Sequence, residues 1–249
     1  MWLFEAGSIR HCRITRKSVV LVAAWALSPF LPLTSESDMK SFVTLIGAAA
    51  LAAFSFTASF AHAQAARSDM VPNFARGEQI YMQMCMACHG VAGNSTIAEN
   101  PSLAGQLPEY LIKQLRDYKS GKRQNAIMSG FAAALTDDDK RDVSHWLARQ
   151  TPAPNYARNP ELVREGERIW RAGLADRNIA SCMACHGPAG RGMPALYPRL
   201  AGQHARYTAD QMKQFRTGAR ANSPEMARIA RHMTDREILA VSDFIAGLR

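Results

Sequence analysis

The apolar and polar positions of this chain fall into a helical pattern that is written twice. Near the end, Ile238, Val241, Ile245 and Leu248 recur at i, i+3, i+7 and i+10, one face of a helix. Thr234 with Glu237 opens that helix as a capping box, and Thr136 with Asp139 opens a twin. A middle helix is expected from near Pro108, where the missing N–H costs nothing, to Gly121, a C-terminal stop. Its partner runs from about Ala205 to Gly218. A first helix is expected from about Phe74, and its partner from near Pro160. No stretch alternates convincingly as a strand, so the fold class is all-α. Gly77 precedes Tyr81 by one turn and Gly166 precedes Trp170 likewise, while Trp146 and Phe244 lie in the last helices. This pairing predicts that each glycine lets the last helix approach the first, with an aromatic ring packed across the crossing.

The recurrence extends to whole segments. NPSLAGQ (100–106) returns as YPRLAGQ (197–203), 97 residues on (197 − 100). Tyr110, Gln114, Gly121 and Arg123 return at that offset as Tyr207, Gln211, Gly218 and Arg220. Repeats of this length are domains rather than solenoid units. The expected division is a first domain at 64–150, a linker at 151–160 and a second domain at 161–249. The QTPAPNYARNP stretch, Gln150–Pro160, has three prolines and reads as a stiff, extended connector. The second half carries a longer segment, Ala172–Ser181, before its cysteine motif.

The N-terminal region reads differently. Met39 and Lys40 open a short charged stretch, Phe42–Phe60 is apolar, and Ala61-His62-Ala63 is an A-x-A exit before Gln64. Residues 39–63 therefore read as a cleaved signal peptide rather than a membrane anchor, which implies an exported, periplasmic chain. Residues 1–38 hold a second, proline-interrupted apolar run, and translation from Met39 would account for them. The sequence is basic, with 30 Lys+Arg against 21 Asp+Glu. It has no Lys/Arg run interleaved with aromatics, which disfavours nucleic acid as a partner. The excess is uneven: residues 64–150 hold 10 basic and 9 acidic side chains (net +1), residues 151–249 hold 15 and 9 (net +6). The second domain is thus the expected docking face for an acidic partner or anionic surface.

The chemistry lies in CMACHG, present at Cys85–Gly90 and again at Cys182–Gly187. Each copy contains C-x-x-C-H, the attachment signature of c-type haem. Two thiols at this spacing can join the two vinyl groups of one porphyrin, and the following His can bind the iron. A shared zinc site would want the second pair within roughly 20 residues, and a redox dithiol would not need the His. Four of the five cysteines belong to these motifs and only Cys12 remains, so no structural disulfide is available.

The order first helix, CxxCH, P-x-L, middle helix, Met, last helix resembles a class I cytochrome c domain. Two such domains with PxLAGQ in each resemble the dihaem cytochrome c4 family over about residues 70–249. The resemblance implies two haem c groups, held by Cys85 and Cys88 and by Cys182 and Cys185, with His89 and His186 as proximal ligands. It implies that the carbonyls of Pro101 and Pro198, each twelve residues after its His, accept the second imidazole N–H. Met128, in the stretch NAIMSGF expected as a distal loop, is the sixth-ligand candidate of the first haem. For the second, Met193 lies too close to His186 and Met212 occupies the place of Leu115 on the middle helix. Met226 lies seven residues before Met233, as Met128 does before Leu135, so Met226 is expected to ligate and Met233 to pack. Tyr110, Tyr207, Arg123 and Arg220 are candidates to bond haem propionates. His145, His204 and His232 read as surface or packing residues. The implied function is a single-electron carrier between respiratory donors, such as a quinol-oxidising complex, and a terminal oxidase. The alternative is the cytochrome subunit of a sulfur-compound or alcohol dehydrogenase. A dihaem peroxidase is disfavoured, because it needs a sixth site that opens.

Overall fold

The structure is a computed structural model, and it describes residues 71–249 apart from Leu196. The upstream segment 1–38 and the stretch 39–63 expected as a signal peptide lie outside the described residues. Among these, helices alternate with loops, and the only β pairing is four isolated bridges. The first half contains α1 (Phe74–Ile80), a π-helical turn (Tyr81–Cys85) running straight into α2 (Met86–His89), α3 (Pro108–Lys119), α4 (Ala126–Ala134) and α5 (Asp137–Ala148). The second contains α6 (Pro160–Ala172), α7 (Cys182–His186), α8 (Ala205–Thr217), α9 (Pro224–Arg231) and α10 (Asp235–Gly247). Pro160, expected as the end of the linker, is the first residue of α6, and Asn159 caps it by accepting from the N–H groups of Glu161 and Leu162.

Each half is closed by its first and last helices. A Cβ on Gly77 would run into the carbonyl of Asp142 and the Cβ of Trp146; one on Gly166 would meet the carbonyl of Ala240 and the Cβ of Phe244. Only glycine permits these crossings. Tyr81 stacks on Trp146 with ring centroids 4.8 Å apart, and Trp170 lies 6.3 Å from Phe244. Around these rings pack Ile80, Leu111, Val143 and Leu147 in the first half, and Ile169, Phe215, Ile238, Val241 and Ile245 in the second. Each such side chain contributes roughly 1.5–3 kcal/mol when taken fully out of water. Both last helices begin with complete capping boxes, Thr136–Asp139 and Thr234–Glu237.

The two halves reach their cysteine motifs differently. In the first, the helix continues through the π turn. In the second, α6 stops at Gly173 and eight more residues separate the crossing glycine from the first cysteine (182 − 166 against 85 − 77). These residues form a clip: Leu174 and Ile179 exchange backbone hydrogen bonds of 2.9 and 3.0 Å, with both side chains in the core. At its tip Arg177 pairs with Glu237 and donates to the carbonyl of His232 at 3.1 Å. The insertion thus ties the first helix's end to the start of α10.

The halves are joined by a reciprocal glutamine clamp. Gln106 accepts from the N–H of Arg199 (2.8 Å) and donates to its carbonyl (2.9 Å). Gln203 does the same with Ser102, at 3.0 and 2.9 Å. His204 adds a 2.9 Å bond from its Nε2 to the carbonyl of Ser95.

Candidate functional site

The two CxxCH turns hold their histidines alike. His89 and His186 are buried. Nδ1 of His89 lies 2.9 Å from the carbonyl of Pro101, and Nδ1 of His186 lies 3.0 Å from that of Pro198. A carbonyl only accepts, so Nδ1 carries the proton and Nε2 keeps its lone pair. Burial pushes both imidazoles below their usual pKa, against the partial opposition of the carbonyl bond, and so favours the neutral form that binds iron. The carbonyls are held in turn: Leu103 and Ala104 donate to Gly93, and Leu200 and Ala201 donate to Gly190. The motif's far end is tied to the first helix, by Tyr81 Oη accepting from Gly93 N at 2.9 Å, and by Trp170 Nε1 donating to Pro188 at 3.1 Å.

The cysteines fit thioether attachment better than the alternatives. Burial pushes the Cys85 thiol up to about 11 and the Cys182 thiol to about 12, whereas a redox dithiol needs a depressed value. All four are free, and no set of three or more metal-binding side chains converges among the described residues. Cys85 and Cys182 pack against the cores of their own halves. The donor set of each half, two thiols at the motif spacing and one neutral, oriented imidazole, fits one haem c.

The distal methionines lie on helices, not in the loop expected from NAIMSGF. Most of that stretch belongs to α4, AIMSGFAAA, because Asn125 caps it by accepting from Met128 N at 2.9 Å. Ser223 caps α9 in the same way, accepting from Met226 N at 3.4 Å. Met128 and Met226 are therefore both the third residue after an N-cap, and both are half-buried. The cross-paired Arg123 and Arg220 still align at the 97-residue offset, so the single extra residue falls within Ala221–Asn222. Met233 is only 3% exposed and belongs to the second core, as Leu135 belongs to the first. Met212 is buried on α8.

Tyr110, Tyr207, Arg123 and Arg220 engage one another across the domain boundary, which the propionate expectation did not anticipate. Arg123 donates to Gln114 of its own half (2.8 Å) and to Tyr207 (2.9 Å) and Gln211 (2.7 Å) of the other. Arg220 donates to Gln211 of its own half (2.8 Å) and to Tyr110 (3.1 Å) and Gln114 (3.2 Å) of the other. Each guanidinium also lies over an aromatic ring, Tyr118 for Arg123 and Phe215 for Arg220. Burial alone would raise the Tyr110 hydroxyl, but the charges of Arg220 and Arg123 outweigh it and lower it. Burial pushes Tyr118 up to about 12. His145 is half-buried and His232 exposed, while His204 serves the interface. Sequence reasoning gave no role to Gln106, Gln203, Gln114, Gln211 or Asn222. The signal was there for four of them: the glutamines recur at one offset in both halves, and two facing copies of one polar residue are what a pseudo-twofold interface requires. Asn222, in the extra residue's segment, has no counterpart to betray it; its amide donates to Asp117 at 2.7 Å and to Gln114 at 3.0 Å.

Comparisons with known proteins match this geometry half by half. Residues 72–147 match the family described as Cytochrome C oxidase, cbb3-type, subunit III, and residues 163–249 match Cytochrome c. The chain is 42% identical over 176 residues to cytochrome c4 of Thiocapsa roseopersicina, covering 69% of this chain and 91% of that protein. It is 41% identical over 188 residues to the thiosulfate dehydrogenase electron acceptor of Stutzerimonas stutzeri (strain A1501), covering 70% and 87%. The crystal structure of reduced recombinant cytochrome c4 from Pseudomonas stutzeri superposes with a TM-score of 0.69 at 36% identity, covering 72% of this chain and all of that one. With two cytochrome c domains, two CxxCH centres and this extent of identity, the chain belongs to the cytochrome c4 family and is an electron carrier with two covalently bound haem c groups.

Proposed function

We propose that the chain works in the periplasm as a soluble two-electron-capacity carrier, in which each half holds one six-coordinate haem. Cys85 and Cys88 carry the first haem and Cys182 and Cys185 the second. His89 with Met128, and His186 with Met226, are the axial pairs. The observation that carries this reading is one geometry found twice: a buried His with Nδ1 on a proline carbonyl, and a Met three residues into an N-capped helix. Bound haem supplies the one-electron iron couple, and His–Met ligation places it at the high end of the haem range. The chain orients the imidazoles and keeps them neutral. It leaves no position for peroxide chemistry in either half. Pyridine haemochrome should give two haems per chain. The mature protein should be recovered from the periplasm and begin at Gln64; its recovery from the cytoplasm would contradict the export reading, and peptides from residues 1–38 would contradict translation from Met39.

For partners, a quinol-oxidising complex as donor and a terminal oxidase as acceptor suit a free carrier. The kinship to a thiosulfate dehydrogenase electron acceptor favours a second reading, in which a sulfur-compound dehydrogenase is the donor. Stopped-flow reduction by each purified donor separates them: the physiological one reduces the protein at least tenfold faster at equal concentration.

A further inference from the structure

A cleft of about 550 Å³ opens where the connector passes between the two halves. That is the size of a small-molecule site. It is lined by Gly105 of the first half, Gln150 and Thr151 of the connector, and Arg191, Arg199 and Arg249 of the second; no Asp or Glu side chain is among its walls. Many of the protein's arginines are matched with a carboxylate: Arg76, Arg171, Arg177, Arg206, Arg216 and Arg236 all lie within 4 Å of one. The three in the cleft have no such partner among the described residues. Arg199 is half-buried and spends one N–H on the carbonyl of Ala201 at 2.9 Å. Arg249 lies over the ring of Tyr156. Burial, and then the neighbouring charge of Arg191, push Arg199 below the usual guanidinium value.

A guanidinium fork is matched to phosphate-like oxygens, and several forks on one wall favour a multiply charged ligand. The cleft is also wired to the second haem site. Arg199 directly follows Pro198, whose carbonyl orients His186, and its N–H is held by Gln106. A negative charge placed here stabilises the oxidised, more positive state of a nearby iron. We propose that this cleft binds a small polyanion of the phosphate class, and that binding lowers the potential of the second haem more than that of the first. The second clause rests on His186 as an iron ligand; the first does not.

The test uses the holoprotein and inorganic pyrophosphate, titrated calorimetrically at ionic strength held constant with sodium chloride. Saturable binding at one site is expected, weakened at least tenfold in Arg191→Gln and in Arg199→Gln and unchanged in Arg206→Gln, whose arginine is paired with Asp210 elsewhere. Arg191 is exposed, so its variant keeps the test open if Arg199→Gln disturbs the fold. A non-saturating response, or affinity untouched by either cleft variant, overturns the site. Redox titration with and without pyrophosphate should lower the potential of the second haem, identified as the wave that Met226→Ala displaces, and that of the first by less. Saturable binding that leaves both waves in place, or moves the first further, overturns the coupling.

Discussion

The two halves share the geometry around their CxxCH histidines and differ in how some of their helices are fastened. The His–proline carbonyl bond, the N-capped methionine, the glycine crossing and the capping box recur position for position. The fastenings do not. In the first half a continuous helix with a π turn enters the motif; in the second a clip pinned by Arg177 takes its place. Lys140 is fully buried in the first half, with Nζ on the carbonyl of Leu135 at 2.7 Å, and apolar Ile238 stands at its position in the second. Burial, with the nearby charge of Lys119 adding to it, lowers the Lys140 pKa. What stays fixed is the hold on the two motif histidines and the capped methionine helices, with the helix crossings that frame them. What varies only holds helices together, and helices can be held in several ways.

The shared interface should be the most costly place to break this symmetry. Arg220→Met removes a buried guanidinium and strips Tyr110, Gln114 and Asn222 of a donor. At about 1–3 kcal/mol for each buried group left unpaired, a loss of about 3 kcal/mol or more is expected. It should appear in guanidinium unfolding as separate transitions of the two halves; a single transition with unchanged midpoint would mean that the network adds nothing.

Next come the glycine crossings. Gly77→Ala and Gly166→Ala each force a methyl against a facing carbonyl, at a cost of about 1–3 kcal/mol. The two should cost alike. A large difference in midpoint between them would show that the crossings only look equivalent.

The clip sharpens the contrast through pH. The Arg177 hydrogen bond is the main cause that holds Glu237 down at about 2, from an ordinary 4.5. A depressed carboxylate stabilises the fold above its unfolded value, and that stability is lost as pH falls from about 4.5 towards 2. In Arg177→Gln this loss should largely vanish from the second half's acid unfolding. Asp139, the matching residue, is also lowered, with the Thr136 hydrogen bonds ahead of Arg76 among the favourable causes, so the first half should keep its acid dependence. Equal acid profiles for wild type and variant would remove the clip's role.

The smallest effect concerns partners. With net charges of +1 and +6 in residues 64–150 and 151–249, electron exchange with an acidic partner should slow as salt rises. A rate independent of ionic strength would contradict docking through the second half.

Much of this was legible in the sequence because it rests on local rules. Thr136 and Thr234 announced their caps, Gly77 and Gly166 their crossings, and the CxxCH copies their chemistry. Met226 could be set against Met128 because one spacing was repeated. The helix around Met128 was not legible, since Ser129 and Gly130 interrupt a run of good helix formers and the capping side chain of Asn125 decides the matter. The roles of Arg123, Arg220 and the glutamines were hidden for another reason. Their partners lie between 84 and 110 residues away in the chain, and nothing local tells a solvated arginine from a bridging one.

The equivalence of the two iron sites is tested most directly by the far-red methionine–iron absorption band of the oxidised holoprotein, compared between Met226→Ala and Met233→Leu. Met226→Ala should lose the contribution of one haem, leaving the other's, while Met233→Leu keeps the full band. Loss in Met233→Leu with the band intact in Met226→Ala would contradict the pairing of Met226 with Met128.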